Sequence, residues 1–218
     1  MLSFCLSPIN INKAGMYRVY GDLRSGNCYK VKLLMRFLEL EHDWQHVDIL
    51  AGETGTPEFM AKSRNAKIPL LEIDNSFYLT ESNAILNYLA EGTEYLPDSG
   101  LSRARVLEWQ FFEQYSHEPY IAVARFINKF LGLPPERLEE YESRQEGGYK
   151  ALSVMEHQLD KTPYLISDSP TIADISLYAY THVCHEGGFD LKEYPAIRGW
   201  LKRIETLPNY AGMPEENR

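Results

Sequence analysis

Residues 65–92 read NAKIPLLEIDNSFYLTESNAILNYLAEG. Leu70–Ile73 and Phe77–Leu79 are short apolar and aromatic runs on either side of Asp74-Asn75. That pair tolerates the left-handed backbone of a tight turn, so the runs read as a β-hairpin. From Ser82 to Glu91 the period changes. Ala84, Ile85, Tyr88 and Leu89 recur on one helical face, and Gly92 supplies a stop. A hairpin running straight into an amphipathic helix is half of a mixed α/β layer.

Upstream, Tyr17–Tyr20 is aromatic and β-branched and reads as a strand. Gly26 to Leu40 spaces Cys28, Val31, Leu34, Met35 and Leu38 as a helix does. Trp44–Asp48 reads as a second strand, and Thr56-Pro57 opens a short helix to about Lys62. The order is β-α-β-α-β-β-α, a parallel crossover followed by an antiparallel hairpin, hence a mixed sheet with helices on its faces. Downstream, 93–100 contains Pro97, Asp98 and Gly100 and reads as a linker. The rest, 101–218, reads as all-helical. Ser102–Leu131 is predicted to bend near His117-Glu118-Pro119, because Pro119 lacks a backbone donor. Pro134–Leu159 carries a weak point at Gly147-Gly148. Thr171 to about Cys184 opens on Thr171-Ile172-Ala173-Asp174, the spacing of a reciprocal helix cap. Tyr194–Thr206 follows, with Pro195 in its first turn.

The 218 residues carry 22 Lys+Arg against 31 Asp+Glu, a net charge of −9. That balance argues against nucleic acid and against an anionic membrane surface as partners. With 44% hydrophobic and 24% charged residues the chain is of ordinary globular composition, and no apolar run approaches a membrane span. Cys5, Cys28 and Cys184 are odd in number and far apart, which fits neither a disulfide framework nor a metal site. A reducing, cytoplasmic setting is expected. Residues 1–15 lack the order of a signal peptide and read as an extension before the first strand.

Three local features concern chemistry: Arg24-Ser25-Gly26-Asn27-Cys28-Tyr29-Lys30-Val31 at the first strand–helix junction, Asn65-Ala66-Lys67-Ile68-Pro69 before the third strand, and Glu81-Ser82-Asn83-Ala84-Ile85 opening the third helix. Together and in this order they resemble the glutathione S-transferase family, from about Met16 to the C-terminus. The resemblance implies a thioredoxin-like N-terminal domain over 16–92 and an all-α C-terminal domain. It also implies glutathione as cosubstrate, a small electrophile as second substrate, and a homodimer. The aromatic segment Trp109–Tyr120 agrees with the last.

Ser25 stands where a hydroxyl can donate to a glutathione thiolate, helped by the free N–H groups of a first helical turn. It also stands where serine is an ordinary helix cap. Cys28 is its rival: a thiol near a helix N-terminus can be reactive, yet Cys28 falls on the apolar stripe with Val31 and Met35. Asn27 is expected to support the sulfur with its amide. Tyr20 is expected to pack in the sheet. By resemblance Ile68-Pro69 is the family's cis-proline element and pairs with the peptide backbone of glutathione, and Lys67 reaches the glycyl carboxylate. Ser82 at a helix start takes the γ-glutamyl carboxylate and Glu81 balances the ammonium. Ser63-Arg64-Asn65-Ala66 departs from the family's Asn-Pro-x-Gly. Tyr115 and His117 are the residues expected to face the electrophile.

The leading expectation is a serine-type glutathione transferase. Around Ser25 the chain is also similar to the zeta class of glutathione-dependent isomerases, with Ser-Gly-Asn-Cys in place of Ser-Ser-Cys. A thiol reductase and a non-catalytic glutathione-binding regulator complete the alternatives.

Overall fold

The computed structural model describes residues 16–214; the extension expected over residues 1–15 lies outside them. Strand β1 (Tyr17–Gly21) feeds α1 (Gly26–Phe37), and the chain returns as β2 (His42–His46). Helix α2 (Pro57–Lys62) then leads to β3 (Leu70–Ile73), β4 (Phe77–Thr80) and α3 (Ser82–Ala90). The sheet order is β2-β1-β3-β4. β1 runs parallel to β2 and antiparallel to β3, and β3 runs antiparallel to β4. This is the predicted mixed sheet. β2 begins two residues before the predicted Trp44. It is an edge strand whose side chains are half-buried or exposed, so the apolar pattern marks its start poorly.

Helix α1 has almost no solvent face. Cys28, Tyr29, Lys30, Val31, Leu33, Leu34 and Met35 are all buried. A helix buried all round must be covered on both sides. Val19, Leu71, Ile85 and Leu89 belong to the sheet side of the same continuous core, and Tyr178 and Ile175 to the helical side.

The second half is helical: α4 (Gly100–Phe112), α5 (Glu118–Arg125), α6 (Leu138–Leu159), α7 (Ile172–Thr181) and α8 (Pro195–Glu205). The predicted disturbance near Pro119 takes the form of a wide π-helical turn, Glu113–His117, with Pro119 in the first turn of α5. A second such turn spans Phe126–Phe130.

The Gly147-Gly148 pair corrects the sequence reading. It does not interrupt α6, which runs 22 residues through it. A Cβ at Gly147 would lie 2.1 Å from the Tyr120 ring, and one at Gly148 2.2 Å from the Phe189 ring. The glycines admit aromatic neighbours at contact distance.

α7 is buried along its whole length and opens on a complete reciprocal cap. Thr171 Oγ1 accepts from the Ala173 N–H at 3.2 Å, and Asp174 Oδ2 accepts from the Thr171 N–H at 2.9 Å. Asp174 Oδ1 further accepts from the Leu165 N–H and from Trp200 Nε1, both at 2.9 Å. At the seam between the two halves, Lys30 Nζ on α1 meets Glu113 Oε1 at 3.0 Å, both side chains fully buried. Buried pairs of this kind contribute more to register than to net stability. Glu113 is also held by Asn83 Nδ2 at 2.9 Å and Gln114 Nε2 at 2.7 Å.

Candidate functional site

The site begins where β1 ends. Asp22 is almost fully buried and grips Arg24: its Oδ1 accepts from the Arg24 N–H at 2.9 Å, and its Oδ2 from Nη2 at 2.6 Å. Burial works against the charge on Asp22, but the Arg24 contacts outweigh it and hold the carboxyl below its ordinary value. The turn is closed by the Ser25 N–H donating to the Asp22 carbonyl at 2.9 Å. Ser25 thus occupies the N-cap position of α1, and its carbonyl accepts from Tyr29 at 2.8 Å. Its side chain makes no cap hydrogen bond. The hydroxyl is half-exposed, with the Cys28 thiol and the Tyr180 phenol as its hydrogen-bonding neighbours.

Cys28 is the core thiol of the two readings. It is fully buried, and burial pushes it up to about 12 despite the Ser25 hydroxyl beside it. A Cβ at Gly21 would meet its sulfur at 2.7 Å, so it is packed directly against β1. Tyr20 is likewise in the sheet, buried, its hydroxyl donating to Glu72 Oε2 at 2.5 Å.

Two of the predicted ligand-binding residues touch. Ser82 Oγ donates to Asn27 Oδ1 at 3.3 Å, and Asn27 Nδ2 donates to Glu118 Oε1 at 3.1 Å. The N-termini of α1 and α3 therefore meet at one amide, backed by a carboxylate from α5. Burial raises Glu118 and the neighbouring Glu113 raises it further, while Lys30, the Asn27 amide and Lys67, in that order, oppose both. The Ile68-Pro69 peptide bond is cis. Lys67 is exposed beside it. Glu81 is exposed at the N-cap of α3 with φ of 67°, a left-handed backbone unusual for its type. Ala66 also has a positive φ, 50°. It stands where the family pattern has glycine, which explains the glycine preference there.

Beside Ser25 a cavity of about 80 Å³ opens between the two halves. Arg24 and Ser25 line one side, and Arg125, Phe126, Phe130 and Tyr180 the other. Arg125 is buried and ties the walls together, donating from Nε to Glu186 at 2.5 Å and from Nη1 to the Arg24 carbonyl at 2.7 Å. Two wider grooves run beside β2 and do not include Ser25.

The two residues expected to face the electrophile are not on this cavity. His117 is fully buried, with Nε2 2.9 Å from Thr181 Oγ1. Thr181 already donates to the Leu177 carbonyl at 2.7 Å, so the histidine nitrogen is the donor. Burial pushes His117 down to about 4. Tyr115, two residues earlier on the π turn, is 81% exposed and also off the cavity wall. Phe126, Phe130 and Tyr180 line the cavity instead, and Glu118 and Arg125 were not foreseen either. Phe126 lies just beyond the aromatic segment Trp109–Tyr120, and none of the five has a local signal that separates it from core or surface. Among the described residues, no three His, Cys, Asp or Glu side chains stand together as metal ligands would.

Comparison with known proteins agrees with this geometry. Residues 16–91 match the family model of the glutathione S-transferase N-terminal domain, and 109–208 that of the C-terminal domain. A crystal structure of a glutathione S-transferase from Pseudomonas fluorescens Pf-5 is 58% identical, covers 91% of this chain and 98% of its own, and superposes with a TM-score of 0.90. The Escherichia coli K12 protein named disulfide-bond oxidoreductase YfcG is 30% identical, over 84% of this chain and 87% of its own length. The fold is also that of the glutathione transferase URE2P6 from Phanerochaete chrysosporium, solved in complex with oxidized glutathione, at 23% identity and a TM-score of 0.79 over 90% and 93% of the two chains. With its four-stranded mixed sheet, its helical second half and both family models matched in order, the chain belongs to the glutathione S-transferase family.

Proposed function

We propose that the chain is a glutathione transferase in which Ser25 stabilises the thiolate. The observation that carries this reading is the Ser25 hydroxyl, set at a helix N-terminus yet not spent on capping it, on the wall of a cavity between the domains. Glutathione lies across the first domain. Its peptide backbone pairs at Ile68-Pro69, its glycyl carboxylate meets Lys67, its γ-glutamyl carboxylate sits at Ser82 and the N-terminus of α3, and Glu81 faces the ammonium. Asn27, held between Ser82 and Glu118, turns its amide toward the same ligand. The thiol proton leaves to solvent. A hydrogen bond from Ser25 to the anion is worth roughly 1.5–3 kcal/mol. The sulfur lone pair then forms the C–S bond to an electrophilic carbon, and the leaving group departs with its bonding pair. Proximity and anion stabilisation supply most of the rate.

Thermal shift tests the ligand directly. Glutathione at about 100 times Kd stabilises the fold by roughly 2.7 kcal/mol; an unchanged melting temperature at millimolar glutathione rejects the whole reading. A pH–rate profile with an aromatic electrophile tests the chemistry, and glutathione affinity with no rate above background favours a non-catalytic regulator instead.

The relative named as a disulfide-bond oxidoreductase supports a second reading, thiol–disulfide exchange. With Cys28 buried and pushed up to about 12, such exchange would run between glutathione thiols and a substrate disulfide. Turnover retained in a Cys28→Ser variant distinguishes this from a protein-cysteine mechanism. The chain is further proposed to act in the cytoplasm as a homodimer. Phe77, Leu101, Phe111 and Tyr115 expose 69%, 72%, 62% and 81% of their surface, more than a lone chain is expected to leave in water. Light scattering that returns the mass of a single chain rejects the dimer.

A further inference from the structure

Tyr180 on α7 is an unusual wall for a cavity. The residue is 6% exposed, it borders the cavity that Ser25 borders, and the Ser25 hydroxyl is the hydrogen-bonding neighbour of its phenol. The two hydroxyls that border the cavity, one from each half, therefore stand together. The hydroxyl-bearing end of the ring lies over Gly26, where a Cβ would fall 2.6 Å from Cζ. Glycine at the first residue of α1 is therefore what lets the phenol reach the helix N-terminus. The groups facing it are the Ser25 hydroxyl and Cys28 thiol from α1, and the Glu118 carboxylate and Arg125 guanidinium from α5.

Resting on the transferase reading above, we propose that Tyr180 is a second hydrogen-bond donor to the glutathione sulfur, acting as a catalytic residue beside Ser25. Burial, reinforced by Glu118, keeps the phenol well above its ordinary range, so it stays protonated and donates at every working pH. One donor then comes from each domain, and the thiolate is held only when the two halves are in register. Such a donor resembles the preorganised dipoles of an oxyanion hole, here directed at sulfur.

The test is Tyr180→Phe, which keeps the ring over Gly26 and removes one oxygen. Bound glutathione is titrated by its thiolate absorbance in the ultraviolet, in wild type, Tyr180→Phe, Ser25→Ala and the double variant. The expected result is a rise of about one pH unit in the bound thiol's apparent pKa for Tyr180→Phe, a tenfold loss of thiolate at fixed pH, and a larger rise in the double variant. Affinity for S-methylglutathione, which has no thiol to ionise, should not change; this separates a donor from a packing residue, and Tyr180→Phe weakening both ligands equally overturns the proposal. So does an unchanged thiol pKa in both backgrounds. Should Tyr180→Phe fail to fold, Gly26→Ala, which pushes the phenol away from the helix, replaces it and must raise the thiol pKa likewise. Wild type that binds no glutathione instead sinks the transferase reading on which this rests.

Discussion

Ser25 and Thr171 both stand at the N-cap of a helix with a hydroxyl to spend, and their two helices end up as opposites. At α7, Thr171 and Asp174 bond each other's backbone, and the acid also takes Leu165 and Trp200. At α1, Ser25 has the N-cap backbone conformation, φ −75° and ψ 125°, and its side chain caps no backbone N–H of the helix. The closed end sits in the middle of a domain, where any unpaired donor is costly. The open end sits at a cavity between domains. The same residue class at the same local position is thus a folding element in one place and, in the reading proposed above, a reagent in the other; Ser99 of α4 is uncapped too, so it is the cavity beside Ser25 that sets it apart.

The largest expected effect tests the closed end. Asp174→Ala removes four accepted bonds at a fully buried position. A loss of at least about 3 kcal/mol in urea unfolding is expected, because donors are left without partners. A loss below about 1 kcal/mol would erase the contrast with α1.

Acid works on the same interior by a different group. Burial puts His117 and His182 each at about 4, against 6.5 for the free side chain. A lowered folded pKa means that the unfolded chain binds the proton first. Stability therefore falls as pH drops from about 6.5 to about 4, by about 2 kcal/mol per histidine at pH 5. Asp174 has the opposite sign, since burial raises it, and does not add to this loss. His117→Gln, which can still donate to Thr181, should flatten the fall in urea-measured stability between pH 7 and pH 5; an unchanged slope would remove His117 from the account.

Ser25→Ala sharpens the open end. Stability should move by less than about 0.5 kcal/mol, since no cap bond is lost. Conjugation at neutral pH should fall about ten- to a hundredfold, and the loss should shrink as pH rises and solvent ionises the thiol unaided. A stability loss typical of caps with full activity would make Ser25 a second Thr171. The smallest effect concerns Ala66, at φ 50°. Ala66→Gly should stabilise by roughly 1 kcal/mol in thermal or urea unfolding, the cost of holding a Cβ in left-handed backbone.

The order of elements in the first half and the Thr171 cap were legible in the sequence because each is a local pattern: alternation, a turn pair, a four-residue spacing. The Ser25, Ile68-Pro69 and Glu81-Ser82 motifs were legible too, and the structure brings Ser82 to Asn27. The lining of the cavity beside Ser25 was not. Tyr115 and His117 are two positions apart in the π turn, roughly half a turn round the helix, so His117 lies in the core while Tyr115 faces water. Tyr180 lies 155 positions from Ser25 on a helix apolar on every face. No periodicity singles out one hydroxyl there.

The close seating of Tyr120 and Phe189 on α6 has a consequence for anyone wishing to harden this protein. Replacing glycine by alanine inside a long helix is a routine engineering gain of nearly 1 kcal/mol per site. At Gly147 and Gly148 the added methyl would fall 2.1 and 2.2 Å from aromatic carbons, so the customary improvement becomes a wedge. Laboratory evolution for heat tolerance should leave these two positions untouched and collect its substitutions on the exposed face of the same helix.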